Sequence, residues 1–261
     1  MPQTQMSTPT DLPRFVEERQ QRIAELLKTR GRVEVAALAA DYGVSDDTIR
    51  RDLRQLAARG LVQKTHGGAV ALNTGVMSSQ QRAAVMPAVK QAIARRAAGL
   101  VQPHQTLFID GGSTALALAQ QLRAEGAPRP LTVVTHALDV FLTLADVPQL
   151  RPVLAGGEWL PVHRVFEGEQ AVATLRAHRA DIAFLGACAL HERTGVTAWQ
   201  PGDAAIKRAM VAGAVRRVVL CDASKLGDVA PCAVAELAEL DHVITDGEPA
   251  FLGARRLAPA V

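Results

Sequence analysis

The sequence predicts two folded parts: a small, mostly helical one with a β-hairpin, followed by a larger α/β one on a mostly parallel sheet. Three observations carry this. Apolar residues recur at helical spacing up to Gly60, in segments that stop at glycines. Two short β-like runs then flank Gly67-Gly68. Beyond Pro87, short unbroken apolar runs alternate with helical stretches, the pattern of strands buried on both faces and joined by crossover helices.

The 261 residues suffice for one small and one medium domain. Residues 1–13 are polar and rich in proline, which predicts a disordered tail. The first domain is expected over 14–72. Val16, Ile23, Leu26 and Leu27 place a helix over Phe15–Leu27, stopped near Gly31. Val35–Tyr42 forms a second, short helix with Ala36, Leu38 and Ala39 along one side, and Gly43 suits the turn after it. Ser45 is placed to cap a third helix from Asp46 to about Arg59, which buries Ile49, Leu53 and Leu56. LVQKTHGGAVAL then reads as a hairpin. Residues 73–88 are expected to be a linker, and 89–261 the α/β domain. It opens with a helix over Val89–Leu100, then the strand TLFID, a helix over Thr114–Leu122, and the strand-like runs LTVVT, RPVLAG, ADIAFLGA, RRVVLCD and DHVIT.

Composition narrows the function. Aromatic residues make up 3%, too few for a platform that stacks single-stranded bases. The net charge of +3 is mild, so the placement of charge matters more than its sum. Cys188, Cys221 and Cys232 form no CxxC pair, which argues against a disulfide framework or a zinc site; Cys188 and Cys221 lie in apolar runs and are expected to pack as small hydrophobes. No basic stretch precedes an apolar core at the N-terminus, and no apolar run nears the ~20 residues of a membrane span. A cytoplasmic protein without cofactor, metal or membrane contact is expected.

Helix, short helix, tight turn, capped helix and hairpin together make a winged helix-turn-helix. With Ile49, Leu53 and Leu56 turned inward, Thr48, Arg50, Arg51, Arg54 and Gln55 are left outward or on the flanks. A helix of this diameter fits the major groove, where arginine pairs with guanine edges or phosphates. Lys64 and His66 in the hairpin would reach the neighbouring backbone or minor groove. Val35, Ser45, Asp47, Thr48, Arg50, Arg51, Arg54, Lys64, His66 and Gly67 are thus the candidate contacts to double-stranded DNA. Asp46 and Asp47 repel phosphate, and either stabilise the helix dipole or accept from a cytosine amino group. Asp52 is expected to orient an arginine or make a structural contact.

In the second domain, Asp110-Gly111-Gly112-Ser113-Thr114 follows a strand and opens a helix. Its glycines, free N–H groups and two hydroxyls suit a phosphate. It is neither a P-loop nor a dinucleotide fingerprint. Asp181, Asp203, Lys207, Asp222 and Lys225 stand at or near strand ends, where open α/β sheets bind ligands.

These residues resemble the DeoR family of bacterial regulators. The likeness is densest at Val44-Ser45, Thr48-Ile49-Arg50-Arg51-Asp52-Leu53 and His66-Gly67-Gly68-Ala69. It continues through Lys90, DGGST, Thr135, Gly156-Gly157, Gly168, ADIAFLGA, Gly195, Lys207-Arg208-Ala209, Asp222-Ala223-Ser224-Lys225 and Ile244-Thr245-Asp246. The resemblance implies operator binding by the first domain and a second domain similar in fold to ribose-5-phosphate isomerase, sensing a phosphorylated sugar. Phosphate is then expected at Gly111 to Thr114, and hydroxyls near Asp203, Lys207, Asp222 and Lys225. Asp110, Thr135, His136, Gly156, Gly157 and Arg164 complete the expected effector set. The chain departs from the family at His136, where asparagine is usual, and at Ser113, where threonine is common. The whole implies a sugar-controlled repressor working as a dimer or tetramer and not an enzyme. The alternatives are an isomerase-like enzyme, which would need the acidic catalytic loop this chain lacks, and a constitutive DNA binder with a silent sensor.

Overall fold

The computed structural model describes residues 16–58, 61–71 and 77–260. The expected tail over 1–13 lies outside the described residues. The chain divides into two compact units, Met1–Asn73 and Thr74–Val261.

The first unit contains α1 (Val16–Arg30), β1 (Arg32–Glu34), α2 (Val35–Tyr42), α3 (Asp46–Ala58), β2 (Val62–Thr65) and β3 (Gly68–Ala71). Ile23, Leu27, Leu38, Ile49, Leu53 and Leu56 form its core, the apolar stripes read from the sequence. α2 stops because Gly43 takes a left-handed φ of 63° and turns its N–H back to the Ala39 and Ala40 carbonyls. β1 is a departure from the sequence reading. Its three residues are too short to show alternation, and it exists by antiparallel pairing with β3, giving a sheet ordered β1-β3-β2. That pairing sets the identity of Gly68: a Cβ there would collide with the Val33 carbonyl oxygen.

The second unit runs α4 (Ser79–Ala84), α5 (Pro87–Ala98), β4 (Thr106–Ile109), α6 (Ser113–Arg123), β5 (Leu131–Thr135), α7 (Leu138–Leu144), β6 (Leu150–Leu154), β7 (Glu158–Leu160) and β8 (Val165–Glu167). It continues with α8 (Glu169–Arg176), β9 (Ala180–Gly186), β10 (Ala189–His191), β11 (Gly195–Ala198), α9 (Pro201–Gly213), β12 (Ala214–Leu220), β13 (Cys232–Ala235), β14 (His242–Ile244) and β15 (Arg256–Leu257). Seven strands form one sheet in the order β15-β14-β12-β9-β4-β5-β6, every neighbouring pair parallel. One core beneath α5, α6 and α7 covers one face, and another beneath α8 and α9 covers the other. This is why the strands read as unbroken apolar runs.

The order of the strands locates a crevice. The chain builds outward from β4 through β5 to β6, then lays β9, β12, β14 and β15 on the other side. β4 and β9 therefore flank the point where the direction of winding reverses, the place where open α/β sheets have their ligand crevice. Two small antiparallel sheets, β7-β8 and β10-β11-β13, were not read from the sequence. Nor does the sequence pattern mark α4, a capped turn and a half inside the expected linker.

Candidate functional site

Asp110 sits at the reversal point, directly after β4, and is completely buried. Its Oδ1 accepts from the Gly111 N–H at 2.8 Å and lies 3.1 Å from His136 Nε2; its Oδ2 accepts from the Gly186 N–H at 2.8 Å and lies 3.0 Å from Lys207 Nζ. Asp110 thus ties the ends of β4, β5 and β9 to α9. Burial alone would raise its pKa, but the Lys207 ammonium, with His136, outweighs this and holds the carboxyl well below the ordinary range. Lys207, also buried, is pushed up: burial opposes its charge, and Asp110 and Asp203 more than restore it. Lys207 and Asp203 are in direct contact one helical turn apart on α9.

Above this floor α6 begins. Its N-cap is Gly112, φ 100°, with no side-chain cap among the described residues, so the first N–H groups are left without one, and Ser113 and Thr114 are half-buried beside them. Gly111 has a different reason to be glycine: a Cβ would press on Val165 and His136, and its N–H already goes to Asp110. The Gly111 N–H is committed to the protein, so it is removed from the expected phosphate donors.

The remaining expected effector residues separate into groups. Thr135 and His136 are buried: the Thr135 hydroxyl accepts from the Ala137 N–H, and His136 Nδ1 faces the Phe166 carbonyl at 3.0 Å. Gly157 allows close passage beside the Glu167 carbonyl, and Gly156 precedes it at the base of the β7-β8 hairpin. Arg164 is already held, its Nε donating to both oxygens of Asp139 at 2.7 and 2.8 Å, with its guanidinium 5.9 Å from the Trp159 ring. Asp222 caps the turn after β12 by accepting from the Ser224 N–H at 3.1 Å. Lys225 lies in that turn, its pKa lowered by burial.

The expectation for Asp181 is corrected: it lies at the amino end of β9, where it accepts from the Thr106 N–H at 2.8 Å, at the opposite end of the strands from Asp110. Cys221 is buried as an apolar residue, and Cys188 packs partly buried against the core beneath α8 and α9, its thiol also 3.6 Å from Asp203 Oδ2. Glu167 and Arg82, also at this site, lie outside the residues the sequence points to, whereas His163 belongs to the segment Pro161-Val162-His163-Arg164, which offers a cation after Gly156-Gly157. Glu167 sits against the first turn of α9, where a Gly202 Cβ would strike its carboxylate; burial and then Asp203 raise its pKa. Arg82 on α4 and His163 in the hairpin meet at 3.2 Å. A basic residue in a stretch without strand or long-helix periodicity gave no signal.

In the first unit, α3 turns Ile49, Leu53, Leu56 and Asp52 inward and leaves Arg50, Arg51, Arg54 and Gln55 exposed. Ser45 accepts from the Thr48 N–H at 3.2 Å, the expected cap. Asp46 and Asp47 lie 3.4 and 3.2 Å from Arg50, which limits that arginine's freedom. Arg54 donates to the Arg50 carbonyl at 3.2 Å, while Arg51 has no partner among the described residues. Lys64, His66 and Gly67 are exposed on the wing. Val35 is corrected: its side chain is 6% exposed and belongs to the core, and its N–H donates to the Gly67 carbonyl at 2.9 Å, so it anchors the wing. Asp52 is structural, with Arg19 Nε at 2.6 Å and Gln20 Nε2 at 3.0 Å.

Comparison with known proteins agrees with this division. Residues 19–75 match the DeoR-like helix-turn-helix domain and residues 86–247 the DeoR C terminal sensor domain. The chain is 35% identical over 231 residues to the uncharacterized HTH-type transcriptional regulator YgbI of Escherichia coli (strain K12), covering 88% of this chain and 89% of the relative. It is 32% identical over 235 residues to the deoxyribose operon repressor of Escherichia coli (strain K12), covering 87% and 90%. In fold it is similar to eIF2B delta from Chaetomium thermophilum, with a TM-score of 0.51 at 14% identity over 90% of this chain and 72% of that one. Overlap with a ribose 5-phosphate isomerase from Methanocaldococcus jannaschii is partial: 54% of each chain, TM-score 0.39, 21% identity. No described helix is long and apolar enough to cross a membrane. A basic helix presented by a winged head, a sensor-type sheet behind it in the chain, and matches to both halves lead to one conclusion: the chain belongs to the DeoR family of HTH-type, DNA-binding transcriptional regulators.

Proposed function

We propose that this protein represses a carbohydrate-metabolism operon and leaves its operator when a phosphorylated sugar binds at the carboxyl ends of β4, β5, β9 and β12. The observation that carries the reading is the uncapped start of α6 lying at the winding reversal, over a fully satisfied Asp110–Lys207 floor. Free N–H groups at a helix start with two hydroxyls make an anion site. Gly112, Ser113 and Thr114 hold the phosphate in this reading, and Asp203, Asp222 and Lys225 take sugar hydroxyls. Lys207, Asp110, Thr135 and His136 shape the floor, Gly156 and Gly157 shape the hairpin base, and Arg164 fixes the hairpin. Asp110 is not a general base here, because both of its oxygens are committed to donors and it is held charged. The name of the deoxyribose operon repressor supports a carbohydrate operon.

On DNA, Arg51, Arg54 and Thr48 enter the major groove in this reading, with Lys64 and His66 on the flanking backbone or minor groove. Arg50, braced by Asp46 and Asp47, aligns the helix start. A dimer or tetramer would pair such heads with repeated half-sites.

Thermal unfolding tests the effector half. The panel is ribose 5-phosphate, 2-deoxyribose 5-phosphate and glucosamine 6-phosphate, each beside its unphosphorylated parent. A ligand at ~100 times its Kd adds about 2.7 kcal/mol, which for a domain of this size raises the midpoint by roughly 5–10 °C. One phosphorylated sugar should shift the midpoint while its parent does not. A panel without any shift contradicts the reading.

A further inference from the structure

Arg82 is half-buried, and among the described residues its guanidinium reaches only a carbonyl and an imidazole. NH1 donates to the Met77 carbonyl at 2.9 Å and lies 3.2 Å from His163 Nδ1; no carboxylate among the described residues lies within ion-pair distance of it. A partly desolvated cation with no anion beside it is an unfavourable arrangement unless an anion joins it. Burial accordingly lowers the pKa of Arg82, and lowers that of His163, with Arg82 adding to the effect.

The location fits an incoming anion. α4 packs on α6, whose start is the proposed phosphate seat, and the Asp203 and Asp110 carboxylates act on Arg82 from beyond ion-pair distance. α4 is also fixed at both ends. Ser78 and Gln81 form a reciprocal cap, the Ser79 N–H donates to the Val162 carbonyl at 3.0 Å, and Lys90 Nζ donates to the Arg82 carbonyl and, at 2.6 Å, to the Val85 carbonyl. The helix therefore bridges the β7-β8 hairpin and α5 and holds a cation at the crevice.

We propose that Arg82 is an effector-binding residue, its free guanidinium edge closing on the phosphate seated at Ser113 and Thr114. This rests on the effector reading above. Arginine suits the role because its fork grips two phosphate oxygens at once. Among the described elements α4 is also the first after β3 in chain order, so a phosphate drawn to Arg82 acts on the described element next to the DNA-binding unit in sequence.

The test repeats the thermal panel with Arg82→Gln and Arg82→Lys beside the wild type. For the phosphorylated sugar that stabilises the wild type, Arg82→Gln should raise Kd about tenfold or more, the loss expected for a charge-assisted pair. Arg82→Lys should raise it less, and no parent sugar should shift any variant. If wild type and Arg82→Gln respond equally, the assignment is overturned and the effector reading stands. If no phosphorylated probe shifts the wild type, the effector reading falls and the assignment falls with it. Should Arg82→Gln not fold, Arg82→Lys decides: loss of the fork must still weaken the phosphorylated probe several-fold, and wild-type affinity overturns the proposal.

Discussion

Replacing Asp110 with asparagine is expected to destabilise the α/β unit by about 3–5 kcal/mol, the usual cost of removing one partner from a buried ion pair. The amide keeps the shape but loses the charge that Lys207 faces at 3.0 Å, and its NH2 meets donors from Gly111, Gly186, Lys207 or His136. Lys207 retains Asp203, which places the loss toward the lower end of the range. In a domain of this size the midpoint should fall on the order of 10 °C. Response to the phosphorylated sugar should also be lost, since Asp110 sets where α6 begins relative to β9. A change in midpoint of a degree or two would contradict the role of Asp110 as the floor of the site. The pH dependence has a definite sign. A carboxyl whose folded pKa is depressed contributes stability in full above its unfolded pKa, near ~4, and loses it as pH falls through the folded value. Wild type should therefore lose more stability on acidification below about pH 4 than Asp110→Asn does.

Asp52→Ala is expected to abolish DNA binding while leaving the sugar-phosphate response intact. Asp52 and Arg19 are both buried, 2.6 Å apart, and join α3 to α1; alanine leaves the guanidinium buried without its partner. The expected loss is again about 3–5 kcal/mol. That is comparable to the whole stability of a unit this small, since a core of roughly 70 residues rarely supplies more than about 3–5 kcal/mol. The head should then be largely unfolded at 25 °C by circular dichroism, with the sensor's midpoint shift unchanged. Asp52→Asn, which keeps one oxygen for Gln20 Nε2, should fall between. Unaltered DNA affinity in Asp52→Ala would mean that this pair contributes little to the head.

What could be read from the sequence follows the range over which each feature is encoded. α2, α3 and the glycine turn at Gly43 were legible because helical periodicity and capping are local, and Ile49, Leu53 and Leu56 are buried as that periodicity requires. The central strands were legible because burial on both faces demands continuous apolar runs. β1 and β13 were not, since short strands without an apolar run of their own acquire their identity from partners distant in the chain; β10 and β11 form a local hairpin that no apolar run marks. Side-chain roles were harder still. Val35 stands at a helix start near the expected DNA surface, but the wing folds over it; Asp181 reads as a strand-end acid, but the end it occupies depends on where β9 begins. Arg82 and Glu167 become candidates only when α4 and β8 are brought to the crevice.

The measurement that most directly tests the account is the affinity of the protein for DNA from the intergenic region upstream of its gene, with and without a phosphorylated sugar. Fluorescence anisotropy at fixed salt reads it, and salt must be fixed because phosphate contacts make affinity depend steeply on ionic strength. The account predicts that the sugar phosphate which stabilises the protein weakens DNA binding about 5–150-fold, the usual span of allosteric coupling, while its parent sugar leaves it unchanged. Affinity that stays the same or rises at saturating sugar phosphate would contradict the claim that effector binding releases this protein from DNA.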